Sequence, residues 1–295
     1  MNESLSTSVT ARTWGKVNLS LRSGPVDHEG YHPLRTVFAS LSLPESVTVS
    51  PADELRVSVQ GLHADRVPLD ESNLAVQAAQ LLAQWVGRSP DVAIEITKGV
   101  PVEGGMGGGS ADAGATLLAL NELWNVGLHR RQLAVLARPL GADVPFTVVG
   151  GVALGTGRGD VIQPLESAAQ LHFALGFQDE GLSTAAVYRE VDAMGVSALR
   201  VDAERELIDA LRAGDLAAIG ACLHNDLQPV ALALMPRLGD VLSVASAAGA
   251  LGTVVSGSGP TVAALARDAE HAAGIAREWD AAGVCSSTLA VTSAR

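Results

Sequence analysis

Between Gly104 and Gly109 the chain reads GGMGGG, and SADAGATLLAL follows at once with the look of a helix. Glycine loses more conformational freedom on folding than any other residue, so five glycines in six positions are costly to order. The chain must fold so that something comes close to this backbone. The first N–H groups of a helix lack internal partners and carry the positive end of its dipole. A glycine loop feeding that end lets phosphate oxygens reach the backbone unobstructed, which makes a polyphosphate cradle the best physical reading. Ser110 reads as the N-cap of the helix and Asp112 as part of its first turn.

Other glycine motifs fit poorly. A dinucleotide fingerprint needs an acidic residue about 20 positions on, at the end of a following strand. Here NVGLHRRQLAV reads as a turn and a helix. No lysine follows the run as a P-loop requires, and neither Ser110 nor Ser258 has both flanking glycines of a nucleophile elbow.

Along the chain, GKVNLSLRS alternates as a strand, which puts Lys16 and Asn18 on one face and Val17, Leu19 and Leu21 on the other. ESVTVSPADELRVSVQGL reads as two short strands joined by a turn. Asn73 caps a helix whose apolar stripe is Leu74, Ala78, Leu81, Leu82 and Trp85. DVAIEITKG is a strand with Val92, Ile94 and Ile96 on one face, and Lys98 lies in their register just before the glycine loop. HRRQLAVLARPL reads as a helix halted near Pro139, and GADVPFTVVGGVALGTGRG as a loop, a strand and a second glycine cluster.

Helices follow around AERELIDALRAGDLAAIGACL and LMPRLGDVLSVASAAGA, then a strand–turn–strand in GTVVSGSGPTVAALAR and an edge strand in TLAVTSAR. Helices and strands mix without strict alternation, so the expected class is α+β with two domains, 1–165 and 166–295.

The net charge of −12 argues against broad nucleic-acid or anionic-membrane binding. Two unpaired-looking cysteines, a polar N-terminus and the lack of a long apolar run point to a soluble cytoplasmic protein. Apart from His32, the histidines are scattered without ligand spacing, so no metal site built from side chains is expected. Oligomeric state is not legible.

PVEGGMGGGSADAG resembles the phosphate-binding motif of the galactokinase–homoserine kinase–mevalonate kinase–phosphomevalonate kinase (GHMP) superfamily. GKVNLSL, EGYHPLRTVF, LGADVPF and SGSGPTV occur in that superfamily's order, and together they resemble its 4-diphosphocytidyl-2-C-methyl-D-erythritol kinases. Gly15, Met106 and Ala111 depart from the common alanine, leucine and serine while remaining small or apolar.

The resemblance implies a two-domain GHMP-kinase fold with its active site in the interdomain cleft. It implies transfer of the ATP γ-phosphoryl group, with Mg²⁺, to the 2-hydroxyl of 4-diphosphocytidyl-2-C-methyl-D-erythritol in non-mevalonate isoprenoid synthesis. Asp143 is then the base and Lys16 the cation that keeps it ionised, with Asn18 positioning substrate. Pro101, Gly104, Gly105, Gly107, Gly108, Gly109 and Ser110 form the ATP loop, and Asn73 and Lys98 lie near the nucleotide. Lys98 reads equally well as a strand-end lysine, Asn73 and Ser110 as simple caps, and Asp143 as a turn cap.

Tyr31, His32 and Tyr188 are implied contacts for the cytosine ring, and Thr184 for sugar or phosphate. The only two tyrosines of the chain fall at these positions. Two other readings compete. One is a homoserine- or mevalonate-type kinase, which needs no base sandwich. The other is a nucleotide-binding protein without turnover.

Overall fold

The alternation at the start of the chain appears as a 15-residue strand, β1 (Val9–Ser23), buried on both faces over most of its length. The computed structural model describes residues 8–28, 30–102, 104–194 and 204–294. Strands and helices are mixed throughout, as an α+β chain requires.

The described residues form two compact units that do not follow a single cut in the sequence. One contains residues up to Gly15, Leu43–Val102 and Gly107–Gly150, and the other Lys16–Ser42, the loop segment ending at Met106, and Gly151 onward. The long strands β1 and β2 (Leu34–Pro51) therefore give one part of their length to each unit.

In the first unit, β4 (Val92–Lys98) pairs antiparallel with Ser46–Pro51 of β2 and parallel with β3 (Arg56–Gly61). The two segments expected as a turn-linked pair are thus separated by β4, which inserts its Val92, Ile94 and Ile96 into the core. Four helices complete the unit: α1 (Leu74–Val86), α2 (Gly108–Leu123), α3 (Arg130–Leu136) and α4 (Val144–Val149). Asn73 caps α1 as expected, its Oδ1 accepting from Ala75 N at 2.8 Å. The buried face of α1 is Ala75, Val76, Ala78, Ala79, Leu82 and Ala83, and Trp85 is exposed. The expected stripe is rotated because alanines on α1 and α2 let the two helices pack closely, which outweighs burying the larger side chains.

Two further expectations are corrected here. The stretch after Asp143 opens with the short helix α4 where a loop was expected, and the expected strand follows it at Val152–Thr156. Pro145 sits in its first turn, where a missing N–H does no harm. The helix after the glycine run begins at Gly108, so Gly107 is its N-cap, Ser110 lies inside it and no acidic residue falls in its first turn. Gly107 enters the helix at φ 72°, a left-handed conformation open to glycine, so the start can precede the first serine. Gly114 in mid-helix is explained by α4, since a Cβ there would overlap Thr147 Oγ1.

In the second unit, β5 (Val152–Thr156) pairs with Thr36–Ala39 of β2 and with β6 (Val161–Leu165), and β8 (His224–Asn225) lies parallel to β1. A separate antiparallel sheet runs in the order β11-β7-β10-β9, formed by Ser287–Thr292, His172–Phe177, Val262–Ala266 and Gly252–Val255. The last strand is an edge strand, as expected. The helices are α5 (Thr184–Met194), α6 (Arg205–Ala213), α7 (Leu216–Ala221), α8 (Gln228–Leu234), α9 (Leu238–Ala247) and α10 (Ala269–Ala282). Trp279 on α10 is fully buried and donates to Val241 O at 2.8 Å. Among the described residues, no single helix is long and apolar enough to cross a membrane.

Candidate active site

Strand parity places Lys16 and Asn18 side by side on β1, and both are buried. Lys16 Nζ donates to Asn18 Oδ1 at 2.8 Å. Asn18 Nδ2 donates to Thr36 Oγ1 at 2.8 Å, and that hydroxyl donates to Ser20 O at 2.7 Å. Each group in the chain has one direction of donation, so the amide cannot flip without losing both bonds. The Phe38 ring lies 5.9 Å from the Lys16 ammonium.

The middle of the glycine loop meets the same strand, where Lys16 N donates to Met106 O at 3.0 Å. The SGSGP turn closes over both. A Cβ on Gly257 would lie 3.3 Å from Lys16 Nζ and 3.4 Å from Gly105 O. Gly105, at φ 70°, has no room for a side chain either, because a Cβ would stand 2.5 Å from Ser256 O and 3.0 Å from Gly259 O. Asn225 holds this turn from β8, donating to Val255 O and Gly257 O at 2.7 Å each. The glycines of the loop thus answer in part to contacts within the protein. Asn225 lies outside the motifs read in the sequence, and Thr36, though inside EGYHPLRTVF, was assigned no role there, because both roles arise only through long-range pairing.

Tyr31, His32, Thr184 and Tyr188 lie in the same unit. His32 Nδ1 donates to Gly24 O at 2.8 Å, its Nε2 lies 3.2 Å from Asp192 Oδ1, and its ring stacks on Tyr188 with centroids 5.1 Å apart. Tyr188 and Asp192 are four residues apart on α5 and so share its face toward His32. Tyr31 is half exposed, and one face of its ring carries the Arg158 guanidinium, 3.4 Å from the centroid. The stacking partner of Tyr188 is therefore His32, and that of Tyr31 is Arg158. Arg158 lies in the second glycine cluster, GTGRG, for which no role was expected. Thr184 is exposed, with its hydroxyl 2.9 Å from Ser258 Oγ of the SGSGP turn.

The other candidates lie in the first unit. Gly108, Gly109 and Ser110 form the opening turn of α2, and Pro101 precedes the loop. Thr147 Oγ1 donates within α4 and toward Ser110 O, 2.8 Å from Val144 O and 2.9 Å from Ser110 O. This ties α4 to the first turn of α2. Asp143 is the residue that leads into α4, and its side chain makes no capping bond to that helix. The Asp143 side chain therefore does not serve as the N-cap of α4. Asn73 uses Oδ1 for its cap and donates from Nδ2 to Pro68 O at 2.7 Å, so the capping role expected of it is present.

Lys98 is buried and its ammonium lies 2.7 Å from both Glu45 Oε1 and Asp112 Oδ2. Burial pushes the Asp112 carboxyl up to about 7, with Lys98 opposing and the Glu45 charge adding to the rise. Burial also raises Glu45, against the pull of Lys98. Glu45 was not legible as a site residue, because the sequence placed it only at the start of an ordinary strand.

Among the described residues no group of three or more His, Cys, Asp or Glu side chains could hold a metal ion. A divalent cation here would be held chiefly through nucleotide phosphates, which suits the preference of Mg²⁺ for phosphate and water oxygens.

Comparison with known proteins agrees with this arrangement. The GHMP kinases N terminal domain matches residues 73–151, and the GHMP kinases C terminal domain matches residues 207–285. A 4-diphosphocytidyl-2-C-methyl-D-erythritol kinase of Streptomyces avermitilis is 48% identical over 94% of both chains. The Mycobacterium tuberculosis enzyme of the same name is 46% identical, over 97% of this chain and 90% of its own. A crystal structure of 4-(cytidine 5'-diphospho)-2C-methyl-D-erythritol kinase superposes with a TM-score of 0.78 at 31% identity, covering 97% of this chain and 100% of that one. Homoserine kinase from Cytophaga hutchinsonii, at 20% identity and a TM-score of 0.77, shares the fold. By sequence and by fold, the chain belongs to the 4-diphosphocytidyl-2-C-methyl-D-erythritol kinase family of the GHMP kinases.

Proposed function

We propose that this protein transfers the γ-phosphoryl group of ATP to the 2-hydroxyl of 4-diphosphocytidyl-2-C-methyl-D-erythritol. One observation carries the reading: the glycine loop, the buried Lys16–Asn18 pair and the SGSGP turn converge on one point of the second unit. A cation fixed at a phosphate loop is what phosphoryl transfer asks of a protein, since the reaction depends mainly on positioning and charge neutralisation.

The N–H groups of Gly108, Gly109 and Ser110 receive phosphate oxygens at the start of α2. The substrate oxygen forms its bond to the γ-phosphorus as the bond from that phosphorus to the β–γ bridging oxygen breaks, and ADP leaves. Asp143 accepts the hydroxyl proton, and Lys16 offsets the negative charge of the transferred group. Mg²⁺, when bound with the nucleotide, would supply further charge neutralisation. Tyr31 offers a ring face to the cytosine. His32 already has protein partners at both ring nitrogens, so it braces Tyr188 and leaves its backbone for the base edge. Asn73 lies on the adenine side, and Thr184 reaches the sugar or phosphate.

The test is ADP release by the purified protein with Mg-ATP and the cytidyl substrate, alongside homoserine and mevalonate. Turnover with the cytidyl substrate alone supports the reading. Turnover with homoserine or mevalonate in its place would assign the protein to another branch of the superfamily.

A further inference from the structure

Glu45 lies near the middle of β2 with no solvent exposure at all, yet it is an acid. Its Oε2 accepts from Gly99 N at 3.0 Å and its Oε1 from Val100 N at 3.2 Å, the first two residues after β4 on the way into the glycine loop. The same Oε1 is 2.7 Å from Lys98 Nζ, and Lys98 in turn reaches Asp112 Oδ2 at 2.7 Å, one turn into α2 where the loop has ended. One carboxylate is thus bonded to the entry of the loop directly and to its exit through one lysine.

We propose that Glu45 is a positioning residue for the phosphate loop, clamping both of its ends into the nucleotide-binding arrangement before any nucleotide arrives. The inference rests on the reading of this loop as the ATP phosphate site.

Stability alone explains the cluster poorly. Two carboxylates share one ammonium in a place where charges are expensive to bury, and apolar residues of like size commonly do as well or better. Asp112 Oδ1 is buried with no hydrogen-bond partner, a further expense. What an ionic cluster supplies, and an apolar one does not, is a fixed set of distances to named backbone groups.

Gly108 supports the same reading. A Cβ on this first residue of α2 would stand 3.3 Å from Lys98 Nζ and 3.4 Å from Glu45 Oε1, so the helix start is seated directly on the cluster. Lys98, engaged by both carboxylates, then acts as the link of the clamp rather than as a phosphate ligand. Ordering the loop in advance removes an entropic penalty from nucleotide binding.

The experiment uses the full chain with Glu45→Gln. It measures the Kd for Mg-ATP by calorimetry without acceptor, the KM for the cytidyl substrate, and the melting temperature. The amide of glutamine cannot accept from both backbone N–H groups and Lys98 as the carboxylate does. The expected result is a Kd for ATP raised at least tenfold, with the acceptor KM within twofold of wild type. A wild-type Kd in a variant that merely melts earlier overturns the proposal, and so does an equal rise in both constants.

If Glu45→Gln does not fold, amide hydrogen exchange on the wild type without nucleotide decides the matter. Gly99 and Val100 exchanging as slowly as the core of β4 supports the clamp, and exchange at the rate of an open loop overturns it. Failure of the wild type to bind ATP would instead remove the phosphate-site reading itself.

Discussion

The Lys16 ammonium donates to Asn18 Oδ1 across 2.8 Å, on the buried face where β1 meets the glycine loop. Asn18 is itself held by Thr36, so the oxygen that receives the lysine is fixed in place. Asn18→Ala removes a hydrogen bond to a charged group, an interaction of about 1.5–3 kcal/mol. If that energy serves catalysis, kcat falls by about 10- to 150-fold while ATP affinity holds. Steady-state kinetics with ATP and acceptor varied separately would show it, and an unchanged kcat would detach Asn18 from the chemistry.

Asp143 stands at the start of α4 without capping it. As the proton acceptor it contributes about 10²–10⁴-fold in rate. Asp143→Asn is expected to lower the single-turnover rate by that amount and to leave the Kd for ATP within a few-fold. A variant that retains a tenth of the wild-type rate or more would rule out the base role.

Tyr31 has one ring face against Arg158 and half of its surface open. Stacking of a base on an aromatic ring is worth about 1–3 kcal/mol. Tyr31→Ala should therefore lower kcat/KM for the cytidyl substrate by about 5- to 150-fold, with the KM for ATP unchanged. Loss of ATP affinity in its place would move Tyr31 to the nucleotide side.

The Glu45–Lys98–Asp112 cluster sets a pH dependence. The Asp112 carboxyl sits near 7 in the folded protein, against an ordinary value of 3.8, so the folded state binds the extra proton. Stability from this site is greatest below the ordinary value and falls as pH rises through about 7. Glu45 is raised as well and acts in the same direction. Urea unfolding at pH 5 and pH 8 should show a smaller loss for Asp112→Asn than for wild type. Identical losses would mean that the proton is not held there.

Gly105 combines φ 70° with two carbonyl oxygens where a side chain would begin. A left-handed residue with a Cβ is disfavoured by about 1–2 kcal/mol before any clash is counted. Gly105→Ala is expected to destabilise the protein by about 2 kcal/mol or more and to weaken ATP binding. Gly109→Ala, where the nearest atom to a Cβ is 3.7 Å away on Leu74, should be tolerated in the absence of ATP. Thermal melts of the two variants compare them directly, and equal losses would refute the distinction.

Much of this was readable in the chain itself. The parity of Lys16 and Asn18, the cap at Asn73, the register of Val92, Ile94 and Ile96, and the strand–turn–strand around SGSGP follow from local periodicity and turn chemistry. The motifs in their order identified the family, and close relatives bear that out.

Other features depended on partners far away in sequence. The rotated face of α1 and the short helix after Asp143 were settled by close packing among alanines and between Gly114 and Thr147. Lys98 meets Asp112 across 14 positions of chain and Glu45 from a strand paired far away in sequence, and Asn225 reaches Gly257 across 32. Periodicity and turn propensity are set by immediate neighbours, so the sequence by itself determined the strands, most helices and the phosphate loop. Buried charges and close backbone contacts have no local signature, because their energies exist only once distant segments have excluded water together. The tertiary structure alone decided which residues hold the loop in place.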